Sequence, residues 1–313
     1  MKESTHIVFT INGGAGKNVA ATAVVRCLAV AHPDLPIHIV TGWPDVWLSN
    51  PHVRQVYRFG RTEQFYEQVM GHGRAKIITG EPYLHDDYVH GDRHLIDVWC
   101  ELAGVAWDGQ PGEMVLSADE LAMAREFVVS QPKPALLFQP FAGPPPEAAT
   151  RLAYLKHQGR QQRRSLPIEQ AQRLVNALAT DYTVLHARLN EQPNLTNTVA
   201  VVDHLRILAA LTVACEKRLL VDSFLQHAAA ALAMPSVVCW SGTSPKLLGY
   251  DLHRNLVHRA CATPMCGRPN SHLFDMTAMD LPWTCPFADA CLQHPLDSIL
   301  EAVKEEVPCG AES

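Results

Sequence analysis

Short apolar, β-branched runs alternate along most of this chain with segments that are typical of helices. The first such unit has a run at residues 6–11, a glycine-rich loop, a helix predicted over residues 19–31 and a second run at residues 36–41. A β-α-β unit of this kind joins two parallel strands through a helix. Because the alternation recurs in both halves, we predict an α/β protein with two doubly wound parallel sheets.

A proline-rich linker separates two groups of predicted elements. Pro132-Lys-Pro134 follows a helix that starts after an N-cap at Ser117 and ends near residue 129. We therefore predict an N-terminal domain over residues 1–131 and a C-terminal domain over residues 132–313. Further strands are predicted at residues 53–59, 75–79, 135–139, 182–186, 219–221 and 236–240, and further helices at residues 93–103, 168–179, 202–214, 225–233 and 296–307.

The composition is typical of a chain that folds around a large core. Of the 313 residues, 47% are hydrophobic and 19% are charged, and the formal net charge is −6. This acidic balance argues against general nucleic-acid binding. No run reaches the roughly 18 apolar residues that a membrane-spanning helix needs, and the N-terminus lacks the basic start of a signal peptide. The nine cysteines, an odd number, favour reduced thiols. We expect a soluble, cytoplasmic protein without a membrane span.

The loop after the first predicted strand reads Asn12-Gly-Gly-Ala-Gly-Lys17. A Walker A motif needs a glycine six residues before the lysine and Ser or Thr after it, but Ile11 and Asn18 stand there. Glycines still allow a close backbone approach, and a helix N-terminus favours anions. The alternative is a tight turn that binds nothing. The candidate residues for a loop that binds a phosphate or an acceptor are Gly13, Gly14, Gly16 and Asn18.

A polar motif in the second half follows a predicted strand and opens a helix. Asp222 at the strand end is suited to cap the helix or to accept hydrogen bonds from a sugar hydroxyl. His227 lies about one helical turn further on. The alternative is an ordinary N-cap beside a structural histidine.

This motif resembles glycosyltransferase family 9, the heptosyltransferases of lipopolysaccharide core synthesis. The resemblance rests on Asp222-Ser-x-x-x-His227-x-Ala-Ala-Ala-Leu, then Pro235, a strand and Gly242-Thr-x-Pro245. Weaker matches follow the same order in the first half, at residues 16–28, 32–33, 50–53 and 93–105. The resemblance therefore extends over most of the chain.

The resemblance implies a GT-B architecture, in which two Rossmann-like domains face each other across a cleft. It implies that the N-terminal domain binds the acceptor and that the C-terminal domain binds the nucleotide-sugar donor. It implies an inverting, metal-independent transfer of a sugar from a nucleotide-diphosphate sugar to a glycan or other hydroxyl acceptor, with no required cofactor. In the family a lysine before a helix stabilises the leaving diphosphate, and Arg163 and Arg164 stand at that place here. These arginines could instead form a solvated basic surface. The donor-binding residues that it implies are Asp222, Ser223, His227, Gly242 and Thr243, together with the two arginines.

The position of the catalytic base departs from the family pattern. The family has an aspartate directly after the loop glycine, where this chain has Lys17. An ammonium accepts no proton unless its pKa is strongly depressed. Asp86 and Asp87, in an acidic segment after a predicted strand, are replacement candidates, so the catalytic candidates are Lys17 and these two aspartates. The alternative functions are a non-catalytic sugar-nucleotide-binding protein and a P-loop-like NTPase or kinase.

Four cysteines near the C-terminus are candidate zinc ligands. Cys261 and Cys266 form one pair, and Cys285 and Cys291 form the other. Neither pair has the two-residue gap of a zinc ribbon, and a tetrahedral site needs all four thiolates to converge. The alternative is four free thiols.

Overall fold

A computed structural model describes residues 5–60, 63–142, 163–258, 285 and 287–305 of the chain. The chain divides into two compact units, Met1–Leu116 and Ser117–Ser313. Among the described residues, every strand pairs with its neighbours in the parallel sense. The prediction of an α/β protein with two parallel sheets is confirmed.

The first unit has a four-stranded sheet in the order β3-β2-β1-β4. Its elements are β1 (His6–Ile11), α1 (Ala15–Ala31), β2 (Ile37–Thr41), β3 (Gln55–Arg58), α2 (Glu63–Gln68), β4 (Ala75–Ile78), α3 (Asp86–His90) and α4 (Leu95–Ala103). The chain steps outward from β1 to β3 and then returns to pair β4 with the other side of β1. This reversal creates a topological switch point between the carboxyl ends of β1 and β4, where ligands bind in open α/β sheets.

The core of the first unit forms where helices cover the central strand. The side chains of β1 are almost all buried, which explains its nearly continuous apolar sequence. The alanine-rich helix α1 is buried along most of its length, and its small side chains allow close packing on the sheet. Trp99 of α4 packs edge-on against Phe9, with the ring centroids 5.4 Å apart. These contacts fix the positions of α1 and α4 beside the switch point.

The second unit has a six-stranded sheet in the order β10-β9-β8-β5-β6-β7. Its elements are α5 (Ala118–Val129), β5 (Ala135–Phe138), α6 (Ile168–Leu178), β6 (Thr183–Ala187), β7 (Val199–Val201), α7 (Leu205–Ala214), β8 (Lys217–Val221), α8 (Phe224–Ala231), β9 (Val237–Trp240), α9 (Pro245–Leu248), β10 (Arg254–Val257) and α10 (Leu296–Lys304). With β5 counted as the first strand, this is the 3-2-1-4-5-6 order of the Rossmann fold. Its switch point lies between β5 and β8.

Helix α5 belongs to the second unit. It packs against α7, and Arg206 of α7 donates to both carboxylate oxygens of Glu120, at 2.5 and 2.7 Å. The boundary predicted at residue 131 assigns this helix to the N-terminal domain, whereas the compact units divide between Leu116 and Ser117. The assignment of the acceptor to one domain and the donor to the other stays a prediction.

Two features of the elements differ from the sequence predictions. Helix α1 begins at Ala15, not at residue 19, so Gly16 and Lys17 belong to its first turn and the loop ends at Gly14. The edge strands β7 and β10 are not among the predicted strands, because each has only three or four residues and is partly exposed. In the part of the chain that the structure describes, no helix is long and apolar enough to cross a bilayer.

Candidate functional site

The glycine loop lies at the switch point of the first sheet, between β1 and α1. Gly13 has a φ of +101°, and a Cβ added there would lie 3.0 Å from Cδ of Lys17. Both observations explain why this position needs glycine, because its backbone is left-handed and covers the lysine side chain. A Cβ added to Gly14, the N-cap of α1, would contact nothing within 4 Å. The loop therefore covers Lys17 and leaves open space at its tip.

The buried Lys17 forms an ion pair with the half-buried Glu81, which follows β4. Its Nζ lies 2.6 Å from Oε1 and 2.7 Å from Oε2 of Glu81. The ammonium also lies 4.5 Å from the ring centroid of Tyr83 and 5.1 Å from that of Trp99. Burial lowers the pKa of Lys17, while the contact with Glu81 opposes this shift. The ammonium that a P-loop would offer to a phosphate is thus engaged by a carboxylate within the unit.

Asn18 has an internal role in the first unit. Its side chain is fully buried, and its Nδ2 donates to the Gly14 carbonyl over 3.1 Å. Its Oδ1 accepts from Oγ1 of Thr41 at 2.6 Å and from Nε1 of Trp47 at 3.1 Å. These bonds tie α1 to the end of β2. We therefore assign Asn18 to the shape of the loop rather than to ligand contact.

Asp86 and Asp87 lie in the first turn of α3. Asp86 is exposed, and Asp87 accepts a hydrogen bond of 2.9 Å from Nη1 of Arg93. Arg93 also donates to Glu101. Among the described residues, His85, Asp87 and Glu101 bring three potential metal-ligating atoms within 4.8 Å of one another. The Arg93 guanidinium already donates hydrogen bonds to both carboxylates of this group.

Asp222 lies at the switch point of the second sheet, directly after β8. It is 2% exposed, and Oγ1 of Thr243 donates to its Oδ2 over 2.7 Å. Burial raises the pKa of this carboxyl, while Arg164 and Thr243 oppose the shift. Nη1 of Arg164 lies 3.9 Å from Oδ2, too far for a hydrogen bond, and its buried Nε has no hydrogen-bond partner among the described residues. The structure thus brings together a buried carboxylate and a guanidinium whose Nε lacks an acceptor.

The segment that carries the two arginines is held at the ends of the central strands. The Arg163 carbonyl accepts from the Gly242 N–H and from Oγ of Ser241, both at 2.7 Å. The Arg163 side chain pairs with Asp289. These contacts join Arg163 and Gly242, two predicted donor-binding residues, at the carboxyl end of β9, and they leave Arg164 as the arginine beside Asp222.

Ser223 and His227 lie at the start of helix α8, with Ser223 as its N-cap. Nδ1 of the buried His227 lies 2.8 Å from the Tyr250 hydroxyl. The next buried ring, His253, has its Nε2 2.9 Å from the Gln226 carbonyl. His227 is therefore part of a polar network that packs α8 against the segment after α9, next to Asp222.

The zinc prediction falls largely outside the described part of the chain. Cys261 and Cys266 lie outside the described residues. Cys285 is half-buried and Cys291 is buried. The zinc site stays a prediction.

Comparison with known proteins shows similarity at the level of fold. Neither a protein-family model nor a curated protein matches the chain. A family 9 glycosyl transferase from Veillonella parvula matches with a TM-score of 0.64 and 14% identity, over 96% of this chain and 97% of that chain. ADP-heptose lipopolysaccharide heptosyltransferase II from E. coli matches with a TM-score of 0.61 and 15% identity, over 88% and 97%. The chain has the fold of family 9 glycosyltransferases.

A third similar structure is TibC, an iron-containing dodecameric glycosyltransferase from enterotoxigenic E. coli. It matches with a TM-score of 0.63 and 11% identity, over 97% of this chain and 77% of that chain. The family 9 resemblance in the sequence motifs is thus confirmed for the fold, and with it the GT-B fold class. The two switch points of this fold contain most of the predicted site residues.

Glu81 lies at the first of these switch points, and the sequence predictions did not single it out. Its partner Lys17 is 64 residues away in sequence, so no local pattern links the two. A signal was nevertheless present, because Glu81 follows a strand that was predicted to lie in the same parallel sheet as the glycine loop. The carboxyl ends of neighbouring parallel strands lie at the same edge of a sheet.

Proposed function

We propose that the protein is an inverting glycosyltransferase that uses a nucleotide-diphosphate sugar as donor and a hydroxyl as acceptor. The observation that carries the proposal is the pair of Asp222 and Arg164 at the switch point of a Rossmann-like sheet, in a chain with the family 9 fold. Arg164 has a buried Nε–H that finds no acceptor in the part of the chain that the structure describes. A buried donor of this kind is costly unless a ligand satisfies it.

A diphosphate is the ligand chemistry that fits Arg164. A guanidinium presents a planar set of donors that matches phosphate oxygens, and it keeps its charge at any physiological pH. As the sugar is transferred, negative charge develops on the leaving diphosphate, and a fixed cation stabilises that charge. In the proposed mechanism Arg164 supplies this stabilisation. Asp222, oriented by Thr243, accepts a hydrogen bond from a hydroxyl of the sugar in the nucleotide-sugar donor.

The proposed transfer needs no metal ion, because an arginine takes the place of a divalent cation at the diphosphate. One of the structures with this fold is an iron-containing glycosyltransferase, so the role of metal needs a direct test. We expect turnover to persist after treatment with EDTA. Loss of turnover that Mg²⁺ or Mn²⁺ restores would contradict the metal-independent mechanism.

The first experiment measures thermal unfolding with ADP-, GDP-, UDP-, CDP- and dTDP-sugars. A ligand at 100 times its dissociation constant adds about 2.7 kcal/mol to the free energy of unfolding, a shift of several degrees. We expect one nucleotide class to stabilise the wild type without metal. Arg164→Gln should weaken that binding about 10- to 100-fold, because a charged hydrogen-bonding partner of the diphosphate is lost.

Arg173→Gln is the matched control, because Arg173 is an exposed arginine on α6 of the same unit. It should bind the same nucleotide sugar as tightly as the wild type. Equal binding by Arg164→Gln and the control would overturn the assignment of Arg164. Binding without release of nucleoside diphosphate from any sugar would favour a non-catalytic sugar-nucleotide-binding protein.

A further inference from the structure

The ion pair between Lys17 and Glu81 is asymmetric in its exposure. The Lys17 side chain is 3% exposed and lies beneath the Gly13 backbone, whereas the Glu81 side chain is 25% exposed. Two aromatic rings also lie near the ammonium. The cation is therefore shielded from solvent, whereas the carboxylate is partly accessible to it. The pair therefore presents a carboxylate, not an ammonium, at the switch point of the first sheet.

The hydrogen bonds of Glu81 fix its direction and leave it able to accept another. A carboxylate has about four lone-pair sites. Lys17 uses one site on each oxygen, and the Tyr83 backbone N–H donates to Oε1 over 3.2 Å. Oε2 accepts only from Lys17 among the contacts of the described residues, so it has room for a further donor. A carboxylate that a buried cation holds in place, and that can still accept a further hydrogen bond, has the geometry of a preorganised proton acceptor.

We infer that Glu81 takes the proton from the acceptor hydroxyl and that Lys17 positions it, an inference that rests on the proposed glycosyl transfer. In this step the acceptor oxygen bonds to the anomeric carbon of the sugar. The bond from that carbon to the diphosphate oxygen breaks, and its electron pair leaves with the nucleoside diphosphate. The hydroxyl proton passes to Oε2 of Glu81.

The two aspartates after Glu81 fit this role less well. Asp87 is engaged by Arg93 at 2.9 Å, and Asp86 is an exposed residue of a surface helix turn. Neither accepts hydrogen bonds from a buried cation, as Glu81 does from Lys17. Asp86→Asn and Asp87→Asn are therefore matched controls, since each also removes one carboxylate from the same segment.

The experiment measures release of nucleoside diphosphate from the nucleotide sugar that stabilises the protein, with water as the acceptor. Glu81→Gln should lower turnover about 100-fold or more, which is the typical contribution of a general base. Binding of the donor, measured by thermal shift, should stay at the wild-type level. Asp86→Asn and Asp87→Asn should each stay within about threefold of the wild type, as expected for residues that accept no proton in the reaction.

A double variant separates a proton acceptor from a simple counterion of Lys17. If Glu81 only neutralises the buried ammonium, Lys17→Met combined with Glu81→Gln removes both charges and should restore turnover. If Glu81 accepts the proton, the double variant stays as inactive as Glu81→Gln. Restored turnover in the double variant, or a Glu81→Gln variant within threefold of the wild type, would overturn the inference.

The turnover of two Lys17 variants tests whether this lysine positions Glu81. Lys17→Met keeps the carboxylate and should lower turnover less than Glu81→Gln does. Lys17→Arg still offers two N–H donors to the carboxylate and should retain more turnover than Lys17→Met. If the wild type neither binds nor cleaves any sugar of the panel, the proposed function itself fails and the inference fails with it. If the wild type cleaves the donor and Glu81→Gln cleaves it equally well, the inference is refuted but the proposed function is not.

Discussion

Buried charges at the two switch points are satisfied to different degrees. Lys17 and Glu81 share two short hydrogen bonds, so each of these two charges is compensated by the other. In the second unit, the Asp222 carboxylate accepts from the Thr243 hydroxyl, whereas Nη1 of Arg164 donates to the Asp222 carbonyl over 3.5 Å and lies 3.9 Å from the carboxylate. Charges removed from water are costly unless they are paired and hydrogen-bonded. The pair of Lys17 and Glu81 therefore needs no ligand to compensate its charges. Arg164, in contrast, needs a ligand that supplies a hydrogen-bond acceptor for its Nε.

A buried histidine in the second unit makes its stability depend on pH. His186 is fully buried beside the Phe141 ring, and within the described ranges neither of its ring nitrogens has a hydrogen-bond partner. Burial lowers its pKa from 6.5 to about 4, with a smaller effect from Arg188. The unfolded chain therefore binds more protons between these values, and stability falls as the pH falls through this window. The loss approaches about 3 kcal/mol near pH 4.

The test compares His186→Leu with the wild type in urea unfolding at pH 7 and pH 4.5. The variant has no buried imidazole to protonate, so its free energy of unfolding should fall by about 2 kcal/mol less than that of the wild type between these pH values. His90→Leu, at an exposed position, should follow the wild type. The same loss in wild type and His186→Leu would show that other groups control the acid response.

Sequence predicts the candidate site at the level of single residues only in part. Asp222, Thr243 and Arg164 belong to one motif series and meet in space. Residue spacing alone does not predict the pairing of Lys17 with Glu81, because the pairing depends on how β4 pairs with β1. Charge compensation between distant residues is a property of the folded sheet.

At the scale of elements, Glu120 couples a helix cap to a tertiary ion pair. Its side chain accepts from the Ser117 N–H in a capping box at the start of α5. The same carboxylate receives two hydrogen bonds from the buried Arg206. These hydrogen bonds, mainly those of Arg206, lower the pKa of Glu120 to about 2. The stabilisation is complete above pH 4.5 and is lost as the pH falls toward 2.

Glu120→Ala should therefore destabilise the second unit by about 3 kcal/mol or more, since it removes the cap and two charge-assisted hydrogen bonds from the buried Arg206. Urea unfolding at pH 7 measures this change. Asp119→Ala, in the same first turn but exposed, is the control and should cost about 0.5 kcal/mol or less. Equal losses in the two variants would mean that the Arg206 pair contributes nothing beyond the helix terminus.

Most elements could be predicted from hydrophobic pattern, and the exceptions have physical reasons. The buried strands β1 and β5 are continuous apolar runs, which parallel sheets require. The edge strand β7 is short, with one exposed and one half-buried residue, so its sequence carries little pattern. The start of α1 at Ala15 was obscured by Gly16, because glycine usually indicates a loop rather than the first turn of a helix.

At the scale of the whole molecule, the sheets of the two units share the strand order 3-2-1-4 around their switch points and differ in the charge that they present there. In both sheets the polar residues lie where the strand order reverses, at the carboxyl ends of the central strands. The first unit presents the Glu81 carboxylate, and the second presents the Arg164 guanidinium. A transfer reaction needs both kinds of group, one to accept the acceptor proton and one to stabilise an anionic leaving group.

This division of roles predicts which unit a nucleotide alone stabilises. ADP, GDP, UDP, CDP and dTDP, added separately, lack the sugar and acceptor, so the one that binds should contact the second unit only. At 100 times its dissociation constant, amides of β5 and β8 that exchange through unfolding of this unit should exchange about 100-fold more slowly. Hydrogen exchange with mass spectrometry measures this, and peptides from β1 and α1 provide the internal control. Protection of residues 12–18 by the nucleotide alone would assign the donor to the first unit instead, and it would reverse the roles that we propose for Arg164 and Glu81.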